Sequence, residues 1–161
     1  MTNIIFDVET SEDSQILAIG AVAFDKLGNV EDEFYLKFNA LGIKDALLNF
    51  NKFCSKNKGE KFWCSGENFE EHTFLCETYD REKIEQPTNS SNVRCICSYL
   101  IITVMYKMLK QDKNWKSWSP GCIRSYLADL GMSTTKFGFE HNALTQCKNG
   151  VRVYKKVVEK S

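Results

Sequence analysis

The sequence predicts an α/β or α+β fold, in which helices cover a sheet, and three observations predict it. Strand-like patterns fill most of the first 40 residues, helical spacing of apolar residues begins near residue 44, and another strand-like segment lies near residue 115. Strands followed by helices and a further strand are typical of such layered folds. Because 161 residues is the length of one ordinary domain, we expect a single domain over residues 1–161.

The first three predicted elements are strands that form a meander. Apolar runs or alternating apolar positions occur in the segments 3–8, 15–25 and 30–39. The segment DKLGN, residues 25–29, separates the second strand from the third and supplies a glycine and an asparagine, which tight hairpin turns favour. We therefore expect the second and third strands to be antiparallel neighbours.

Most of the remaining chain is predicted to be helical, because apolar residues recur three or four positions apart. Residues that favour turns and helix caps interrupt this pattern and indicate a loop. The predicted elements are, in order, a short helix from about residue 44, part of a helix over 69–75, a loop over 85–92, a long helix over 92–110, a strand over 114–118, a helix over 120–132 and a terminal helix over 139–160.

The overall composition indicates a globular chain without a general attraction for nucleic acid. Hydrophobic residues make up 43% of the chain, and only two prolines leave little room for disordered linkers. The 21 basic residues balance the 21 acidic residues, so the formal net charge is zero. A site for a polyanion must therefore depend on a local arrangement of charge.

The distribution of apolar residues predicts a cytoplasmic protein that does not cross a membrane. The chain begins almost directly with a strand pattern and lacks the features of a secretory signal peptide. The most apolar segment, residues 97–109, is shorter than the roughly 20 residues that a membrane-spanning helix needs. We expect this segment to be a core helix.

The seven cysteines predict neither a disulfide framework nor a zinc site. Their number is odd, and they do not form the two CxxC pairs that would assemble a zinc site. Neither histidine lies in a recognisable cysteine-protease context. The cysteines are expected to be reduced and mostly buried.

Two acids at the end of the first strand form the candidate site. Asp7 and Glu9 are two residues apart, so in a strand they point to the same face with their Cα atoms roughly 6.6 Å apart. Carboxylates this close repel each other unless a cation neutralises them, and Mg²⁺ and Mn²⁺ prefer oxygen ligands. A second interpretation remains open, in which both acids lie in water or face Lys or Arg.

Three blocks of the sequence resemble, in order and spacing, the motifs of the DEDDh 3′-to-5′ exonucleases. The segment 4–25 contains D-V-E-T at the end of a strand and then I-L-A-I-G-A-V, as in the first motif. The segment 118–132 is similar to the second motif, in which W-s-x-G opens a helix, and 139–151 is similar to the third, in which H-N-A-L appears. The resemblance is to the small phage and bacterial branch of this superfamily and covers nearly the whole chain.

The resemblance assigns roles to some residues and shows that others have changed. Asp7 and Glu9 match two metal ligands, and His141 matches the general base. The two positions at which the motifs carry further metal-binding aspartates are Ser125 and Gln146 here. Because neutral side chains replace two of four carboxylates, one Mg²⁺ or Mn²⁺ ion is expected rather than two.

Two other acids could compensate for the changed positions. Asp129 lies one helical turn beyond Ser125, and Glu140 directly precedes His141. The near-ideal octahedral geometry that Mg²⁺ requires makes either substitution demanding.

The resemblance implies an RNase H-like exonuclease fold, a mixed central sheet of about five strands flanked by helices. It also implies a 3′–5′ exonuclease-like protein that acts on or binds single-stranded DNA or RNA ends, with impaired two-metal catalysis. The alternative is an inactive pseudo-nuclease that binds nucleic acid, a nucleotide or a protein, in a phage-type accessory or host-interference role. A homodimer is compatible with the resemblance, and the preference for DNA or RNA is left open.

Overall fold

The computed structural model describes residues 2–13, 15–65, 70–88, 92–111, 125, 128–129 and 142–159. Within them the architecture is α/β, with a five-stranded sheet and helices that flank it. The strands are β1 (Thr2–Thr10), β2 (Ile16–Phe24), β3 (Val30–Lys37), β4 (Gly59–Cys64) and β5 (Val93–Cys95). The helices are α1 (Phe38–Leu41), α2 (Ile43–Lys56), α3 (Glu70–Glu82), α4 (Ile96–Gln111) and α5 (Ala143–Glu159).

The sheet is mixed, and its strand order is β3-β2-β1-β4-β5. The first three strands are antiparallel neighbours, whereas β4 is parallel to β1 and β5 is parallel to β4. The prediction of a mixed sheet of about five strands flanked by helices is therefore confirmed. Because β1 is the central strand, its carboxyl end lies between β2 and the carboxyl end of β4.

The meander was predicted well because its signals are local. The turn after β2 is closed by Asp25, whose side chain accepts hydrogen bonds from the backbone N–H groups of Leu27 (2.8 Å) and Asn29 (2.9 Å). Gly28 follows with a φ of 82°, which glycine adopts without strain. The predicted end of the third strand is wrong, since Phe38 begins α1 and is buried there.

Two parallel strands were missed, and both have short or mixed patterns. The predicted helix over 92–110 is wrong at its start, because residues 93–95 form β5 and α4 begins only at Ile96. In β4, the exposed Glu60 and Lys61 are adjacent and are followed by three buried residues, so apolar and polar positions do not alternate. The predicted strand over 114–118 lies outside the described residues. Three positions of the predicted helix over 120–132 are described, and all three are helical: Ser125, Ala128 and Asp129.

The two faces of the sheet carry different helices. Phe6 of β1 packs against Phe50 of α2, with ring centroids 6.2 Å apart. On the opposite face, Phe24 of β2 packs against Tyr154 of α5 at 5.2 Å. Because side chains alternate along a strand, Asp7 and Glu9 point to the face that α5 covers. In the described part of the chain, no helix has the length and apolar character needed to cross a membrane.

Candidate functional site

Asp7 is a buried acid near the carboxyl end of the central strand. Only 3% of its surface is exposed, and the hydroxyl of Ser65 donates a hydrogen bond of 2.5 Å to its Oδ1 atom. Ser65 directly follows β4, the parallel neighbour of β1. The carboxyl ends of two adjacent parallel strands therefore meet at Asp7, at an edge where sheets of this kind often bind ligands.

Glu9 is half-buried and is held by a strand and a helix. Its Oε1 atom accepts hydrogen bonds from the hydroxyl of Tyr35 on β3 (3.0 Å) and from the backbone N–H of Ala143 (3.1 Å). Ala143 is the first residue of α5, where a helix favours negative charge. Burial and the hydrogen bond to Glu9 raise the pKa of Tyr35.

A glycine allows α5 to approach the sheet beside the two acids. Gly20 is paired with Asp7 across β1 and β2, and a Cβ atom at this position would overlap the backbone of Ala143 and Leu144. The thiol of Cys147 donates to the carbonyl oxygen of Gly20 at 3.4 Å. The start of α5 therefore lies against Gly20, the glycine of the sequence I-L-A-I-G in β2.

Gln146 lies on the buried face of α5, which packs on β1 and β2. It is 2% exposed and is one helical turn from Asn142, whose side chain caps the helix by accepting from the backbone N–H of Thr145 at 3.0 Å. The position that the resemblance relates to a metal-binding aspartate is therefore inside the protein, at the helix that contacts Glu9, and carries a neutral amide.

The other predicted residues are not brought to this place by the described contacts. Ser125 and Asp129 are helical and exposed. His141 and Glu140 lie outside the described residues. The structure therefore brings together Asp7 and Glu9 with α5, and leaves the general base that the resemblance implies as a prediction.

Glu71 is a third buried acid, which the sequence analysis missed. It is the second residue of α3, it is 7% exposed, and its Oε2 atom has no hydrogen-bond partner among the described residues. Its charge also acts on the thiols near Asp7. After burial, which is the largest cause, the carboxylates of Asp7 and Glu71 both raise the pKa of Cys147, and the same two acids contribute at Cys64.

The position of Glu71 follows from β4, because α3 is the next helix after that strand. A signal for Glu71 therefore existed, since an acid soon after the carboxyl end of a strand parallel to β1 must lie near the edge that holds Asp7. It could not be used because β4 itself was not predicted.

These residues do not fit a two-ion centre. Within the described ranges, no three side chains of His, Cys, Asp and Glu come together as the ligands of one metal ion would. Asp7 and Glu9 already accept hydrogen bonds from Ser65, Tyr35 and a backbone N–H. Two divalent ions need more carboxylate charge than this pair supplies.

A groove of about 380 Å³ opens beside Glu9. Its lining includes the apolar side chains of Ile16 and Phe38, the amide of Asn39 and the cationic side chain of Lys37. Glu9 and Lys37 are both paired with the same residue of β2, so they lie in one row across the sheet. The groove therefore has an acid at one side, a lysine at the other and apolar surface between them.

No family model matches the sequence, and no curated protein matches it significantly.

Proposed function

We propose that this chain is a 3′–5′ exonuclease-like protein with an RNase H-like fold that binds the ends of single-stranded nucleic acid and has impaired two-metal catalysis. One observation carries the proposal. Asp7 and Glu9 lie at the carboxyl end of the central strand, and Glu9 lines a groove to which Lys37 also contributes. A single strand presents unpaired bases and phosphates to a protein. The apolar surface of the groove could contact a base, and its one cationic side chain could contact a phosphate.

The arrangement of the sheet supports this proposal. The first three strands are antiparallel neighbours, and β4 and β5 are parallel to β1. This arrangement, with the strand order β3-β2-β1-β4-β5, is compatible with an RNase H-like fold. Gln146, where the resemblance implies a metal ligand, is buried on α5, the helix that packs on β1 and β2. The resemblance and the topology together support a substrate site at the carboxyl end of β1.

The chemistry of the acids supports impaired catalysis. Gln146 is neutral, and the donors that hold Asp7 and Glu9 occupy oxygens that an ion would use. We propose that Asp7 and Glu9 would hold one Mg²⁺ or Mn²⁺ ion, which would supply positive charge opposite a terminal phosphate. In this proposal His141 is the general base of the remaining hydrolysis.

A second candidate is an inactive binding module, and the hydrogen bonds of Glu9 favour it. Because Tyr35 and the first N–H of α5 hold this carboxylate, the site is stable without an ion. Such a protein would bind a nucleic-acid end or a nucleotide and leave it intact.

A labelled-oligonucleotide assay separates the two candidates. The wild-type chain is incubated with a 5′-labelled single strand with and without Mn²⁺, and binding and 3′ trimming are measured together. We expect binding and slow, Mn²⁺-dependent trimming, and we expect Asp7→Ala to abolish the trimming. Asp13→Ala is the matched control, since Asp13 is an exposed acid of the β1–β2 loop. Binding without trimming would establish the inactive module, and absence of binding would refute both candidates.

Restoring the missing acids tests the assignment of the motifs. We expect the double variant Ser125→Asp, Gln146→Asp to raise Mn²⁺-dependent trimming at least tenfold, roughly the lower limit for supplying a missing charged group. If Gln146→Asp alone reaches the same rate, no acid is needed at position 125. A double variant that folds, binds two ions and stays inert would show that the second and third motifs are misaligned.

A further inference from the structure

Two cysteines lie at the junction of β5 and α4. Cys95 is the last residue of the strand, and Cys97 is the second residue of the helix. Both are reduced cysteines and both are buried, with 3% and 1% of their surfaces exposed. They form no part of the site proposed above.

The sulfur of Cys95 is in a position that favours the thiolate. It accepts a hydrogen bond of 3.3 Å from the backbone N–H of Ser98, one of the unpaired donors at the start of α4. The single S–H of Cys97 lowers the pKa of Cys95 most when it turns from Ser65 to this sulfur, and the hydrogen bonds with Ser98 add to the effect. A thiolate is the form of cysteine that attacks peroxides.

Cys97 also connects this junction to the candidate site. Its sulfur lies 3.1 Å from the carbonyl oxygen of Ser65, to which the thiol donates. The hydroxyl of the same Ser65 holds Asp7. Cys97 is therefore connected to Asp7 through one intervening residue.

We propose that Cys95 and Cys97 form a peroxide-sensitive dithiol, whose oxidation to a disulfide removes the hydrogen bond from Cys97 to Ser65 and thereby loosens the hold of Ser65 on Asp7. The thiolate of Cys95 attacks one oxygen of a hydroperoxide, the O–O bond breaks, and Cys95 becomes a sulfenic acid. The sulfur of Cys97 then attacks that of Cys95 and displaces water. Each thiol gives up one hydrogen in the overall reaction. Hydrogen peroxide is thereby reduced to two molecules of water, and an organic hydroperoxide to one alcohol and one water.

The chain geometry permits this disulfide. Residues two positions apart are roughly 6.6 Å apart at Cα in a fully extended strand and closer where the chain turns into a helix, which falls within the range that disulfides span. The thiol chemistry is independent of the function proposed above, whereas its effect on nucleic acid rests on that function.

Peptide mass measurement tests the chemistry. The folded full-length chain is treated with hydrogen peroxide, alkylated after denaturation and digested with trypsin, which places both cysteines in the peptide 95–107. We expect this peptide to lose two hydrogens, about 2 Da, to resist alkylation and to recover after dithiothreitol. Cys76 is the internal control, since it is more exposed but burial raises its pKa. Oxidation of Cys76 before the pair, or an unchanged peptide 95–107, would overturn the proposal.

Binding of a single-stranded oligonucleotide tests the connection to Asp7. We expect peroxide to weaken binding between about twofold and tenfold, the effect of one hydrogen bond, and dithiothreitol to reverse it. Cys97→Ser keeps a donor for Ser65 but cannot form the disulfide, so its binding should not respond to peroxide. A disulfide that leaves binding unchanged would refute the connection. If the reduced chain does not bind at all, the function proposed above fails while the mass result still decides the thiol chemistry.

Discussion

At the scale of single residues, the protein itself supplies what a cation would otherwise provide to the two acids. Ser65 donates to Asp7, and Tyr35 and the first N–H of α5 donate to Glu9. Hydrogen bonds to charged groups are the stronger ones, so these donors explain how a pair of carboxylates remains on one face of a strand. The same donors must be displaced or shared when an ion binds, which lowers the expected affinity for the ion.

Glu71 differs from Asp7 and Glu9 because one of its buried oxygens has no hydrogen-bond partner among the described residues. Leaving such an oxygen unsatisfied costs about 1–3 kcal/mol. We expect Glu71→Gln to stabilise the ion-free chain by on the order of 1 kcal/mol, which is a rise in Tm of about 3 °C. The same variant should show a smaller rise in Tm on addition of Mn²⁺, because a nearby negative charge has been removed.

The matched control for this change is Glu77→Gln, an exposed position on the same helix, which should leave both quantities unchanged. Calorimetry with and without Mn²⁺ measures both effects. A lower Tm for Glu71→Gln without the ion would show that the carboxylate makes a favourable contact.

The thiolate of Cys95 makes the stability of the fold depend on pH. Hydrogen bonds from Cys97 and Ser98 lower the pKa of Cys95 from 9.0 to about 6. Because the pKa is lower in the folded chain, this stabilisation is complete above about pH 9, decreases as the pH falls from 9 towards 6, and is absent below 6. We expect the difference in Tm between the wild type and Cys95→Ser to follow this course. A difference that does not change with pH would contradict it.

At the scale of elements, the approach of α5 to β2 depends on Gly20. A side chain there would overlap the helix backbone and push Ala143 away from Glu9. We expect Gly20→Ala to destabilise the fold by about 3 kcal/mol in urea unfolding and to weaken oligonucleotide binding. Gly59→Ala is the control, since a Cβ there would overlap the side chain of Ile4 at the opposite end of β1 from the acids. Equal loss of binding in both variants would show that only stability matters.

The predictions made from sequence succeeded where the determining contacts are local. The meander of β1, β2 and β3 has turn residues and alternating apolar positions next to each other in the chain. The parallel strands β4 and β5 pair with segments far away in sequence, and β5 has only three residues, so no local pattern specified them. Because β4 was not predicted, Glu71 was not recognised as a candidate site residue. An acid at the start of α3 is expected near Asp7 only when β4 is known to pair with β1.

Gln146 shows the opposite case, in which a motif located a position that periodicity would have left as part of a helix core. It lies on the buried face of α5, whereas Ser125 is helical but exposed. The strand of the first motif and the helix of the third motif are in contact, and the donors that hold the acids depend on tertiary contacts. The metal-binding roles that the motifs imply stay predictions.

At the scale of the whole molecule, the balance of charge limits how nucleic acid can bind. With 21 basic and 21 acidic residues, no general positive field attracts a phosphate backbone. In the groove beside Glu9, Lys37 is the lysine placed to meet a phosphate. We therefore expect one or two phosphate contacts rather than an extended track along the strand.

This limit predicts a weak dependence of oligonucleotide binding on salt. One or two phosphate contacts on a single strand give a slope of about −0.7 to −1.4 in a plot of log affinity against log salt concentration, so affinity should fall less than about tenfold between 50 and 200 mM salt. Lys37→Gln should reduce the slope by about 0.7, whereas Lys52→Gln, an exposed lysine of α2 with the same change in net charge, should leave it unaltered. Fluorescence anisotropy at several salt concentrations measures these slopes. Because the two variants differ only in where the charge is lost, equal slopes would place the bound strand outside the groove, and a wild-type slope near −4 would require several phosphate contacts elsewhere on the surface.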